Sequence, residues 1–193
     1  MDIKKYIQAS IETKTKILND ETIISTINEI AKEIVNAYKN DKKVLTAGNG
    51  GSAGDAQHIA GELVSKFFFD RPGLTAFALS TDTSILTAIG NDYGYEKSFS
   101  RQIQANAKEG DVFIGISTSG NSINIVLALE EAKKKGVITV GLVGEKQCSM
   151  DGLCDYIIHV PSSSTPTIQE SHIMIGHIIC ALIEEEIFSK IKS

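Results

Sequence analysis

Arginine is almost missing from this chain. Two stand in 193 residues, Arg71 and Arg101, and 24 acidic residues outnumber the 19 basic ones for a formal net charge of -5. A nucleic-acid surface needs clustered Lys and Arg to displace counterions, so the balance argues against that class of partner. The densest basic run, Lys133-Lys134-Lys135, reads as the solvated end of a helix, where cations suit the dipole. Cysteine is also scarce. Cys148, Cys154 and Cys180 are odd in number and form no CxxC pair, which fits free thiols in a reducing compartment. No long apolar run occurs. Residues 1–20 carry seven charged side chains from Asp2 to Asp20, which excludes a signal-peptide core. The uncharged stretch Val112–Leu129 has Ser117-Thr118-Ser119-Gly120-Asn121-Ser122 in its middle and is no membrane span. A cytoplasmic protein with no membrane and no nucleic-acid partner is expected.

What is present is ordinary globular composition, 42% apolar and 22% charged, which excludes a disordered, collagen-like or coiled-coil chain. A chain of this length makes one domain and can bury about 70% of its extended surface without disulfides or metal. Residues 2–39 lack Gly and Pro, and Ile17, Ile24, Ile27, Ile30, Ala31 and Ile34 recur at helical spacings. One long helix or two, broken near Asn19-Asp20, is predicted over 1–40. An α/β core is predicted over 41–190. Strands are expected at 43–47, 74–79, 111–116, 137–143 and 156–160. Helices are expected at 52–68, 83–89, 95–107, 122–135 and 167–190. Short apolar strands alternating with helices mean a parallel sheet covered on both faces, a three-layer α/β sandwich. Ligands of such sheets sit outside the carboxyl ends of the strands, where strand order switches.

Two turns could hold chemistry because each follows a strand and opens a helix. They are Gly48-Asn49-Gly50-Gly51-Ser52 and Ser117-Thr118-Ser119-Gly120-Asn121-Ser122. Unpaired amides at a helix N-terminus bind anions. The second turn adds four hydroxyls in six residues and no Lys, a cradle suited to a phosphate monoester. Ser122 taken alone also fits a plain helix cap. Gly48, Gly50 and Ala53 match G-x-G-x-x-A, but that fingerprint needs an acidic residue about 20 positions on, and Asp82 comes 34 residues after Gly48. No P-loop pattern occurs. A third constellation is helical. His58 and Glu62, four apart, share a helix face. Gln169 and His177, eight apart on the last helix, point within about 80° of each other. Two imidazoles, a carboxylate and an amide oxygen can hold a divalent metal such as zinc, or serve as acid and base; spacing alone fits an exposed helix face equally well. His159 and His172 read as packing or surface histidines.

Taken together, GNGGSAGDAQHIAGEL (48–63), STDTSILTAIGNDYGY (80–95), GDVFIGISTSGNS (110–122) and IQESHIMIGH (168–177) resemble the sugar isomerase (SIS) domain family, most closely its branch acting on a seven-carbon sugar phosphate. The resemblance runs from about Lys43 to Glu186. It implies a single SIS domain over 1–193 with a flavodoxin-like five-stranded sheet. It implies that Ser117, Thr118, Ser119 and Ser122 hold the sugar phosphate, that Asn49, Gly50, Gly51 and Ser52 add contacts, and that Asn91, Asp92, Glu62 and Gln169 line the substrate site. It implies one zinc per subunit on His58, Glu62, Gln169 and His177, with Glu62 and His177 as the catalytic pair. A homotetramer with active sites between subunits is implied too. The activity implied is isomerisation of sedoheptulose 7-phosphate to D-glycero-D-manno-heptose 7-phosphate through an enediolate, the first step toward ADP-heptose for lipopolysaccharide or related glycans. Relatives that are non-catalytic regulators of replication initiation, or isomerases of other sugar phosphates, are the alternatives. The chain departs from the family at Pro166-Thr167, where a basic residue usually precedes the Ile-Gln-Glu run.

Overall fold

Five short apolar runs each fold as a strand; in four of them Val and Ile supply β-branched side chains that pack well on a pleated surface, while the remaining one is only Ala76-Phe77-Ala78. In the computed structural model, which describes residues 2–189, they are β1 (Val44–Gly48), β2 (Ala76–Ala78), β3 (Val112–Ile116), β4 (Ile138–Gly144) and β5 (Tyr156–Val160). All pairings are parallel and the order is β2-β1-β3-β4-β5. This is the flavodoxin-like order, with its switch point between β1 and β3. Gly48 lies in register with Ile116, so the turns after β1 and β3 leave the sheet side by side.

Among the described residues seven helices flank the sheet: α1 (Ile3–Leu18), α2 (Glu21–Lys39), α3 (Gly51–Val64), α4 (Thr83–Tyr93), α5 (Ser100–Asn106), α6 (Ile123–Lys134) and α7 (Thr165–Phe188). Of these, α1 packs on α2 and α7. A 3-10 turn at Tyr95–Lys97 precedes α5. The expected break between the first two helices falls at Asn19-Asp20. Asp20 ends the first helix's run by capping the second, its Oδ1 accepting from the amides of Thr22 (2.9 Å) and Ile23 (3.1 Å). Such a cap is worth about 1 kcal/mol. The expected helix at 52–68 stops at Val64, and the stretch expected at 95–107 divides into the 3-10 turn and α5. The expected end of the core at Lys190 lies outside the described residues.

Alternation within each strand divides the core. Val44, Val112, Ile114 and Ile116 face α2, α3 and α7, against Ile30, Ile34, Ile59 and Ile175. Leu45, Ala47 and Phe113 face the other way, against Phe99, Ile103, Ile125 and Leu129. The stripe predicted on the N-terminal helices is buried at Ile17, Ile27, Ile30 and Ile34. On α1, by contrast, Ile3, Ile7, Ile11 and Leu18 stay exposed. No described helix is long and apolar enough to cross a membrane.

His172 is a packing histidine, as the sequence suggests, and is fully buried on α7. Its Nε2 lies 3.2 Å from the Val143 carbonyl, so this nitrogen carries the proton. Its Nδ1 is buried without a partner. Burial pushes its pKa down to about 4. A depressed folded-state value means that the unfolded chain binds the proton first, so stability present above pH 6.5 is lost as pH falls toward 4. The total is about 3 kcal/mol at roughly 1.4 kcal/mol per unit. Urea titrations at pH 7.5 and 4.5 should show this loss in the wild type, and His172→Leu should remove most of the difference.

Candidate active site

The two Gly- and Ser-rich turns meet at the switch point and are tied there by amides. Asn49 and Asn124 form a reciprocal pair: Asn49 Nδ2 donates to Asn124 Oδ1, and Asn124 Nδ2 donates to Asn49 Oδ1, each at 2.9 Å. The Tyr95 hydroxyl donates to the same Asn49 oxygen at 2.9 Å. The Asn49 side chain therefore joins the turns. Gly50 takes a positive φ of 55° as the cap of α3 and offers no side chain. At α6, Ser122 is the cap residue, yet its hydroxyl makes no capping bond. It turns to Ser117 Oγ at 2.9 Å, and Ser117 Oγ lies 3.4 Å from Ser119 Oγ. The plain-cap reading of Ser122 is thus replaced by a hydroxyl cluster. Both helix N-termini keep amides uncapped by side chains, a setting that favours an anion.

The Ser-rich turn is braced from outside. Gly120 adopts φ +64°, and a Cβ there would collide with Cys148 Sγ. The Asn121 Oδ1 accepts from Ser149 N (2.9 Å) and Ser149 Oγ (2.8 Å). A cleft of about 260 Å³ opens beside the turn, with Thr118, Ser119, Lys146, Ser163, Thr165 and Ile168 on its walls. Thr167, where a basic residue was expected from the family, is buried, and its Oγ1 bonds Ser164 Oγ at 3.3 Å.

The helical constellation assembles because α3 and α7 approach closely. At Gly176 a Cβ would sit 2.7 Å from Ile59 Cδ1, so only glycine lets the helices meet there without a shift. His58 and His177, the neighbours of these two residues, consequently touch: His177 Nε2 lies 3.0 Å from His58 Nε2. The same His58 nitrogen lies 3.0 Å from Glu62 Oε1. One Nε2 has a single in-plane direction, yet two acceptor-capable atoms converge on it. All three donor atoms lie within 4.8 Å of one another, a possible metal-binding triad. Neighbouring ligands of a tetrahedral zinc at 2.0–2.1 Å stand roughly 3.3 Å apart, so this spacing and donor set suit such an ion. Gln169 lies further toward the turn. Its amide covers the first turn of α3, 2.5 Å from where a Gly51 Cβ would be. Asn91 and Asp92 are exposed on the last turn of α4 and bond each other at 2.8 Å; among the described residues they make no hydrogen bond to the turns or the triad.

Several neighbours escape sequence reading. Asn124 lies just beyond the Ser-rich turn, and Tyr95 closes the 80–95 segment without a chemical signal of its own. Asp55 precedes His58 and Glu62 at i, i+3 and i+7, a spacing that could have marked it. Burial pushes its carboxyl up to about 6, opposed by His58, and its Oδ2 is buried without a partner. The Phe67 ring stands 5.7 Å from the His177 ring. Arg71 and Glu184 form a buried ion pair beyond the triad.

Comparison with known proteins follows the same outline. A SIS domain family model matches residues 5–144. The phosphoheptose isomerase of Aneurinibacillus thermoaerophilus is 65% identical over 186 residues, covering 96% of this chain and 94% of its own. Phosphoheptose isomerase 2 of Campylobacter jejuni is 62% identical over 188 residues, covering 97% and 94%. Among solved structures, a phosphoheptose isomerase from Francisella tularensis superposes with a TM-score of 0.91 at 35% identity, covering 95% of this chain and 96% of the other.

Proposed function

The chain belongs to the SIS domain family, in its phosphoheptose isomerase branch, and from that premise we propose how its residues interconvert sedoheptulose 7-phosphate and D-glycero-D-manno-heptose 7-phosphate. The observation that carries the reading is the meeting of Glu62, His58 and His177 where α3 crosses α7, on the helix that the first anion-binding turn opens. The protein is an aldose–ketose isomerase acting on a sugar phosphate.

Ser117, Thr118, Ser119 and Ser122 bind the phosphate with the uncapped amides of α6, and the turn at Asn49, Gly50, Gly51 and Ser52 adds contacts. Holding the distant end of the substrate fixes the reacting end and removes the entropy of finding it. Glu62 takes the proton from C1 of the ketose. The C1–H electron pair becomes the C1–C2 double bond, and the C2 carbonyl pair moves to oxygen, giving the cis-enediolate. Glu62 returns the proton to C2, while His177 moves the hydroxyl proton from O1 to O2. Each positioned acid or base of this kind contributes about 10² to 10⁴-fold. His58, Glu62, Gln169 and His177 would hold one zinc per subunit, which when bound supplies positive charge for the developing enediolate. Asn91 and Asp92, apart from the triad within one chain, would reach a neighbouring subunit's site. That and the exposed Ile3, Ile7 and Ile11 support a homotetramer with active sites between subunits. The whole chain acts as one SIS domain in the cytoplasm, consistent with three free cysteines. The non-catalytic, protein-binding alternative has no support, since both members of the catalytic pair are present and converge.

Purified protein given sedoheptulose 7-phosphate should form the aldoheptose phosphate, followed by NMR. Glu62→Gln and His177→Gln should each lower kcat by about 10² to 10⁴-fold with the assembly intact; near-normal rates would reject the assignment. Protein purified without a His tag or chelator should carry close to one zinc per chain by elemental analysis. Chelation should lower turnover, and full activity of metal-free protein would leave the zinc incidental.

A further inference from the structure

The end of α3 leaves carbonyls that its own helix cannot satisfy, and one buried cation answers them. Arg71 Nη1 donates to Leu63 O at 2.7 Å and to Pro72 O at 3.0 Å, and its Nη2 donates to Glu62 O at 2.8 Å. A cation at this position also suits the negative end of the helix dipole. Arg71 Nε donates to Glu184 Oε2 at 3.0 Å, and both side chains are 1% exposed. Glu184 stands on α7, seven residues after His177, which is two turns along the same face. Its carboxylate accepts from the amides of Phe67 (2.7 Å), Phe68 (2.6 Å) and Phe69 (3.3 Å). Burial opposes its ionisation, but these amides and Arg71 hold the carboxyl below its usual range.

The two side chains therefore grip the helix bearing Glu62 at its last turn, the helix bearing His177 two turns on, and the loop between them. That loop carries Phe67, whose ring packs on Phe68 at 4.5 Å and stands against His177. A buried ion pair is poor evidence for stability in itself, because desolvation offsets its attraction. This pair does something a hydrophobic replacement would not: it fixes backbone atoms of Glu62 relative to α7.

We propose that Arg71 and Glu184 are positioning residues for the isomerisation, setting the spacing of Glu62 and His58 on α3 against His177 on α7 without touching substrate. The proposal rests on the isomerase reading above. Arg71→Lys keeps the charge and loses the fork. Its control is Asp111→Asn, which weakens another largely buried bond, Lys43 Nζ to Asp111 Oδ2 at 2.6 Å, at the amino ends of the central strands β1 and β3. In Arg71→Lys, kcat should fall between about 10- and 100-fold, as for a small misplacement of reacting groups, with KM for the sugar phosphate within about twofold. Zinc affinity, measured by chelator competition without substrate, should fall about tenfold or more. Asp111→Asn should lose thermal stability while keeping kcat and zinc affinity. If Arg71→Lys does not fold, Glu184→Gln, which keeps the shape and one acceptor oxygen, should show the same split. Equal kcat and equal zinc affinity in the clamp variant and the control would overturn the proposal. Failure of the isomerase reading is distinguished by a wild type that turns over no sugar phosphate; the clamp is then judged on zinc affinity alone.

Discussion

Everything chemical in this fold depends on how closely α7 can lie on α3. The sheet places α3 at the end of β1, but Glu62 and His58 become useful only when His177 arrives from the far end of the chain. Gly176 against Ile59 permits that arrival, and Gly51 beneath Gln169 permits it a second time nearer the turn. Both contacts fall where an added methyl group would meet another side chain inside van der Waals distance. Close packing of this kind cannot relax without moving the neighbours. The site is thus a property of two helices in contact rather than of either helix.

The scarcity of arginine acquires a different meaning in the folded molecule. The anion cradle contains no arginine: it is made of hydroxyls and helix-end amides, with Gly50 and Gly120 at positive φ letting the backbone face the ligand. Both arginines have other partners. Arg101 stacks over the Tyr93 ring at 4.0 Å, and Arg71 is enclosed against Glu184. Such an arrangement separates two tasks. On the proposed reading, fixed dipoles would recognise the phosphate, whereas the buried charge would hold the scaffold of the catalytic pair.

Sheet, strand count and order of elements were legible because buried parallel strands read as short apolar runs, and because Gly- or Ser-rich turns marked where α3 and α6 open. The Ser117–Ser122 turn was legible as a cluster of hydroxyls at a helix N-terminus, the arrangement that the proposed phosphate site uses. His58 and Glu62 were legible only as a pair at helical spacing, which fits an exposed face equally well; the resemblance to the SIS family implied a role, and the crossing with α7 brings His177 to them as a possible metal-binding triad. Contacts between residues far apart in the chain left no local signal. Arg71 and Glu184 are 113 residues apart and Asn49 and Asn124 are 75 apart, and nothing in either neighbourhood marks the partner. Asn91 and Asp92 carry a recognisable motif, yet a single chain leaves them exposed and bonded to each other.

Gly176→Ala addresses the closeness of the two helices directly. The added Cβ meets Ile59 2.7 Å away and should push His177 from Glu62 while leaving the Ser-rich turn untouched. Steady-state turnover of sedoheptulose 7-phosphate should fall at least about tenfold, while the sugar phosphate still raises the melting temperature of the variant as it does that of the wild type. Wild-type turnover in Gly176→Ala would contradict the account, since the site would then tolerate a wider crossing of α3 and α7.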